Sequence, residues 1–209
     1  MEALFIHGMG RTPLSGWPLL WQLGSAGLKT STFGYSVSVE TFSRISDRLT
    51  TRVVAMAERG DYLLIGHSLG GVLLRAAVNA LPGDTRRPRH IFLLGSPIGA
   101  SRLAQQLQGN LAFRLLTRDC GRLLASAERM SAFGTMSVPT TSIVGTSGLA
   151  ATRAAFVGET KDGVVSVAEA SADWLVDQIR IPCVHTFLPS SRRVGAAILE
   201  RLSNDRCDA

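Results

Sequence analysis

The chain has 209 residues, of which 45% are hydrophobic and 18% charged. That length makes one domain of ordinary size, and the composition excludes intrinsic disorder and a second full-sized domain. The net charge of +6 is carried by arginine, Lys29 and Lys161 being the two lysines. The arginines are spread along the chain without an aromatic-basic motif, so they read as a solvated basic surface, with no specific nucleic-acid partner expected. No run of about 18 apolar residues offers a membrane span. The early apolar run Ala3-Leu4-Phe5-Ile6 lacks the basic start and cleavage site of a signal peptide and reads as a strand. Cys120, Cys183 and Cys207 are odd in number and scattered, without disulfide or zinc spacing. A cytoplasmic location, with no metal and no cofactor, is the expectation.

In chain order, Leu4–His7 reads as a strand ending at Gly8, and Trp17–Leu23 as a helix. Phe33, Tyr35, Val37 and Val39 alternate at strand period and predict a strand over Thr32–Val39. Ile45, Leu49, Val53 and Ala57 recur every four residues and predict a helix over Phe42–Arg59. Tyr62–Ile65 is a buried strand, and Val72–Leu81 an apolar helix closed by Pro82-Gly83. Ile91–Leu94 is a strand stopped by Gly95-Ser96-Pro97. Residues Arg102–Met130 are mostly helical by pattern, Thr140–Val144 is a strand, and Ile179–Val184 is a last strand despite Pro182. Arg192–Leu202 closes the chain as a helix. Alternating strands and helices predict one α/β domain over residues 1–209, a doubly wound, mainly parallel sheet with helices on both faces. In such sheets ligands bind beyond the carboxyl ends of the strands.

Gly66-His67-Ser68-Leu69-Gly70-Gly71 lies between a buried strand and an apolar helix. This is the G-x-S-x-G pattern in the context its chemistry needs. A turn this tight strains the serine backbone and holds the hydroxyl above the sheet edge, and the glycines let strand and helix approach. Ser68 is therefore the expected nucleophile, and the Leu69 amide can face a developing oxyanion. The first strand ends in His7-Gly8-Met9-Gly10, whose flexible loop makes the Met9 amide the expected second donor, with His7 tying the loop. Of the four histidines, His67 sits inside the turn and His90 precedes its strand. His185 follows the last strand, on the correct edge, and is the expected base. The acid is expected among Glu159, Asp162, Glu169, Asp173 and Asp177. Asp162, in a turn with Gly163 before Val164-Val165, is preferred, with Glu159 second; its role is to fix the histidine tautomer.

Four blocks carry a family resemblance: Phe5-Ile6-His7-Gly8-Met9-Gly10-Arg11, Gly66-His67-Ser68-Leu69-Gly70-Gly71, Asp162-Gly163-Val164-Val165-Ser166-Val167, and His185-Thr186-Phe187-Leu188. In order and spacing they resemble the α/β-hydrolase superfamily, in particular compact bacterial lipases and esterases like the GPI inositol-deacylases. The resemblance implies that Asp162 is the triad acid. Where many relatives have Gly-Thr-Pro-His, this chain has Gly95-Ser96-Pro97-Ile98. The change leaves the triad intact but alters the pocket wall expected from Ser96, Pro97 and Ile98, so a relative's substrate does not transfer. Neither a calcium signature nor a long lid is visible, so interfacial activation is not implied.

Residues Ser101–Phe133 leave the sheet at its functional edge. Leu103, Leu107, Leu111 and Leu115 recur every four residues, with Arg102, Arg114, Arg118, Arg122 and Arg129 between them. One reading packs a helix pair on the sheet. The other makes 101–133 a small cap whose apolar face lines an acyl pocket and whose arginines make weak contact with an anionic membrane. The expected activity is serine carboxylester hydrolysis, esterase- or lipase-like, on a small-molecule ester with an apolar acyl group. Thioester hydrolysis or acyl transfer would use the same residues. A non-catalytic binding protein on this fold is the rival class.

Overall fold

The computed structural model describes residues 1–148 and 159–207. Among these residues, six strands form one sheet: β1 (Glu2–Ile6), β2 (Lys29–Phe33), β3 (Tyr62–His67), β4 (His90–Leu94), β5 (Thr140–Gly145) and β6 (Asp177–Ile181). The order across the sheet is β2-β1-β3-β4-β5-β6, and every pairing is parallel. Between strands run α1 (Trp17–Ser25), α2 (Phe42–Ala57), α3 (Leu69–Asn79), α4 (Arg102–Leu107), α5 (Leu111–Ala125) and α6 (Ala127–Ser131). After β6 comes α7 (Arg192–Cys207). Short 3-10 helices, Pro13–Gly16 and His185–Ser190, precede α1 and α7.

Strand alternation sorts the core into two halves. Leu4, Ile6, Leu64, Ile91 and Leu93 pack with α2, α3 and the inner half of α5. Ala3, Phe5, Leu63, Ile65, Phe92 and Leu94 pack with α1 and α7 on the other side. The central strands are buried on both faces, which is why β3 and β4 read as unbroken apolar runs. Helix α2 shows how the pattern becomes structure. The Thr41 hydroxyl caps it by accepting from Arg44 N at 3.3 Å, and Ile45, Leu49, Val53 and Met56 form its buried stripe.

Two strands differ from the sequence expectation. Periodicity placed one over Thr32–Val39, but β2 ends at Phe33. Its partner β1 pairs through Ile6↔Phe33 and then leaves the sheet, so Tyr35, Val37 and Val39 have no strand to bond. They are used otherwise: the Tyr35 ring stacks on His7, Val37 is buried, and Val39 is exposed. The last strand, expected over Ile179–Val184, runs from Asp177 to Ile181, and Pro182, which lacks an N–H, follows its end.

The helical stretch after β4 is broken at Gly109-Asn110, where the Asn110 side chain accepts from Phe113 N at 3.0 Å and starts α5. The four-residue leucine spacing thus spans two helices rather than one buried stripe. Leu103 and Leu107 are half-buried, whereas Leu111 and Leu115 are each 66% exposed. Inside α5 the backbone kinks at Arg118 (φ 47°, ψ −125°); before it half-buried Phe113 packs against the core, and beyond it Cys120, Leu123 and Leu124 are buried within it.

Leu64 lies at the centre of β3 and is fully buried. Leu64→Ala is expected to cost about 2–5 kcal/mol, read as a lower urea midpoint at constant slope.

Candidate active site

The chain passes from β1 to β2 on one side and returns to β3 on the other. The loops leaving β1 and β3 therefore diverge, and the crevice between them is the switch point at which open α/β sheets bind ligands. Strand β1 runs out into His7-Gly8-Met9-Gly10, and β3 into Ser68.

Ser68 has φ 53° and ψ −121°, a conformation that costs on the order of 1–3 kcal/mol for a residue with a side chain. Its surroundings hold it there. Ser68 N donates to Leu94 O at 2.9 Å, and Gly71 N donates back to Ser68 O at 3.0 Å. Helix α3 starts so close to β1 that a Cβ at Gly70 would run into the carbonyl oxygen of Ile6. Leu69 is the first residue of α3, so its N–H has no acceptor within the helix. Met9 is half-buried against the core on the β1 side.

His185 opens the 3-10 helix after β6, and Asp162 comes from the loop between β5 and β6. Both are buried. Asp162 Oδ2 accepts from His185 Nδ1 at 2.7 Å, and Asp162 O accepts from His185 N at 2.9 Å. The other carboxylate oxygen, Oδ1, accepts from Val164 N at 2.9 Å and Val165 N at 2.8 Å. One oxygen is thus fixed by the loop and the other orients the imidazole. Because a carboxylate only accepts, the neutral ring carries its proton on Nδ1 and leaves the Nε2 lone pair open.

Three of the remaining acidic candidates are engaged elsewhere. Arg102 donates to Glu159 Oε1 and Oε2 at 2.5 and 2.6 Å, and the Glu159 carboxyl is held down to about 2 by that pairing. Glu169 accepts from Arg102 N and Ser166 N, each at 2.8 Å, and Asp177 pairs with Arg201. Asp173 is exposed. Arg102 also donates to Ser166 Oγ at 2.8 Å, which ties the start of α4 to the loop carrying Asp162.

Gly95-Ser96-Pro97-Ile98 runs behind the pair. The Ser96 hydroxyl is buried and donates to Gly66 O at 3.2 Å, Pro97 is buried, and half-buried Ile98 accepts from Arg75 through its carbonyl at 2.7 Å. Gly95 has φ 53°, and a Cβ there would stand 2.8 Å from Asp162 Oδ2 and 2.9 Å from His185 Nδ1. Sequence reasoning overlooked this requirement, although a glycine directly after a buried strand was the visible signal.

His67 was the other omission. It cannot reach back to Ser68, but it reaches His185: its Nε2 donates to His185 O at 3.1 Å, and the two rings lie 4.8 Å apart. Its buried Nδ1 has no hydrogen-bond partner among the described residues. Burial, followed by the neighbouring His185, holds His67 well below the ordinary histidine value, so the ring is neutral. His7 Nδ1 donates to Gly8 O at 2.9 Å, and the Tyr35 hydroxyl donates to His7 O at 2.8 Å. His90, at the opposite edge, bonds Thr141 Oγ1 at 2.8 Å.

No protein-family model matches the chain, and no curated protein matches it in sequence. Solved structures do match in fold. A Bacillus licheniformis lipase in its mature form superposes with a TM-score of 0.77 at 13% identity, covering 96% of this chain and 91% of the lipase. A metagenomic carboxyl esterase gives 0.78 at 14% identity, covering 100% of this chain and 76% of the esterase. The thioesterase RedJ of the prodiginine biosynthetic pathway in Streptomyces coelicolor gives 0.65 at 17% identity, covering 98% of this chain and 90% of that one. The chain has the α/β-hydrolase fold.

Two outcomes test this geometry. Gly95→Ala is expected to lower stability by about 1–3 kcal/mol and to displace the Asp162–His185 pair, detectable as a shifted His185 ring resonance. The second concerns His67. The unfolded chain binds its proton near the ordinary value of about 6.5, while the folded protein resists it. His67 therefore weakens folding as pH falls below that point. Relative to His67→Gln, the wild-type melting temperature is expected to drop between about pH 7.5 and pH 5. A constant difference across that range would contradict a buried neutral ring.

Proposed function

We propose that the protein is a serine hydrolase of carboxylic esters, with Ser68, His185 and Asp162 as its triad. The observation that carries this reading is the Asp162–His185 hydrogen bond of 2.7 Å, built at the sheet edge where Ser68 is held in a strained turn. His185 Nε2 takes the Ser68 proton as the oxygen attacks the ester carbonyl carbon. The negative charge moves to the carbonyl oxygen, where the amides of Met9 and Leu69 donate to it. Asp162 stabilises the imidazolium without taking its proton. The tetrahedral adduct collapses, the alcohol leaves with the proton from His185, and an acyl-serine remains. Water, deprotonated by His185, then attacks the acyl carbon, and the acid departs as the proton returns to Ser68. Every proton in this cycle passes through His185, so the reaction needs no metal or cofactor.

The substrate class we infer is a small ester with an apolar acyl group, met at a wall formed in part by Ile98. Thioester hydrolysis is a second reading, favoured by the likeness to the thioesterase RedJ. Comparing nitrophenyl esters with acyl thioesters of matched chain length separates the two. We place the protein in the cytoplasm, on its scattered cysteines, of which Cys120 and Cys183 are free thiols.

A fluorophosphonate probe tests the central assignment. Wild type is expected to be labelled and Ser68→Ala not at all, while His185→Ala and Asp162→Asn lose esterase turnover by on the order of 10⁴. Labelling of Ser68→Ala equal to wild type would overturn it.

A further inference from the structure

Leu14, Trp17 and Trp21 stand on the surface with 75%, 66% and 66% of their area exposed. Trp17 and Trp21 are one helical turn apart on α1, on the side away from the buried Leu19, Leu20 and Leu23. The two indoles separate two open grooves. One, of about 630 Å³, lies between them and Thr30, Ser31 and Thr32 on β2. The other, of about 380 Å³, lies between them and Ser190 and Arg192. Phe187, also exposed, belongs to the same 3-10 helix as Ser190.

The two stretches of chain that build this face carry charge of one sign. Between Glu2 and Glu40 the chain has no acidic residue, and between Asp177 and Glu200 again none. These two stretches supply α1, the 3-10 helix His185–Ser190 and the start of α7. They carry the exposed cations Arg11, Lys29, Arg192 and Arg193. Glu2 reaches the larger groove through Ser31, but its charge is met by Arg59 at 2.9 Å and Arg52 at 3.5 Å.

We propose that this face of α1 docks the protein on an anionic lipid–water interface. Indole rings favour the headgroup region, where an apolar body and a polar N–H are both satisfied. Flanking arginine and lysine side chains add attraction to anionic headgroups. A second copy of the chain fits this face less well, because a twofold contact would set the same cations against each other. The arginines of α5 are a less suitable anchor: Arg118 donates to Ser38 O at 2.7 Å, and Asp119 lies beside it, paired with Arg129. Helix α1 begins at the carboxyl edge of the sheet, and Phe187 is two residues from His185. Docking therefore brings the candidate site to the lipid boundary.

The test uses the full chain with unilamellar vesicles of phosphatidylcholine, alone or with about 30% phosphatidylglycerol. Co-sedimentation and a blue shift of tryptophan emission are expected on the anionic vesicles only, and both should fall as salt rises. Trp17→Ser/Trp21→Ser and, separately, Arg192→Glu/Arg193→Glu are each expected to weaken binding by about tenfold or more. The arginine variant keeps the test informative if the tryptophan variant does not fold. Ser68→Ala is expected to bind vesicles like wild type, and Trp17→Ser/Trp21→Ser to keep its fluorophosphonate labelling, so docking and hydrolysis fail independently. Equal binding to neutral vesicles would overturn the proposal. So would binding lost in Arg114→Glu/Arg122→Glu but kept in the tryptophan variant, or a wild-type dimer that the tryptophan variant dissolves.

Discussion

A strained serine backbone between β3 and α3 is the constraint on which the remaining architecture depends. At φ 53° and ψ −121°, Ser68 cannot relax without moving either the strand before it or the helix after it. Both are immobilised by burial, β3 across its whole length and α3 over most of its residues. The distortion is local and small beside the apolar area that β3, β4 and α3 remove from water. The helix must also start within reach of the β1 carbonyls, and that requires glycine at position 70. The sharp turn, the missing Cβ and the central place of β3 are thus one arrangement seen from three sides.

The same edge collects its other groups from distant parts of the chain. Asp162 and His185 lie 23 residues apart, on loops either side of the edge strand β6. The two meet because the Asp162 loop is held internally. Its Oδ1 takes two amides of its own turn, while Glu169 accepts from Ser166 N and Arg102 N. Arg102 thereby links the segment after β4 to the loop after β5. A change in how α4 sits would be felt at Asp162, so the start of α4 and the loop that orients His185 are mechanically connected.

What could be read from the sequence follows from how local each signal is. The strands at the sheet centre were plain, because burial on both faces leaves an unbroken apolar run such as Tyr62-Leu63-Leu64-Ile65. Asp162 was preferred for its turn with Gly163 and for the family resemblance, and His185 for its place after the last strand; the two are hydrogen-bonded at 2.7 Å. The loop at Thr32–Val39 was not, because its alternation serves separate tasks: Phe33 and Val37 turn to the core while Tyr35 stacks on His7. Strand period records only which side each residue faces; the length of a strand is set by its neighbour, here by β1 leaving the sheet. The four-residue leucine spacing misled for a related reason, since it ran across a helix break at Gly109-Asn110. Gly95 and His67 were hidden because each matters through residues far along the chain, Asp162 and His185 for Gly95 and His185 for His67.

His67 shows how desolvation can serve the chemistry proposed for this edge. In that mechanism His185 becomes an imidazolium, with Asp162 supplying the compensating charge at 2.7 Å. A second positive ring at 4.8 Å would oppose this, and His67 stands at that distance. Burial prevents the conflict by keeping His67 neutral. Its remaining polar contact, Nε2 to the carbonyl of His185, holds the backbone of the base without competing for its ring nitrogens. The orphaned Nδ1 is the cost of that placement: bringing a partner to it would need space on the side of Gly8, where an added Cβ would already lie 2.9 Å from that nitrogen. The unsatisfied atom and the crowding of Gly8 against the serine turn therefore have a common origin in the close approach of β1 to β3.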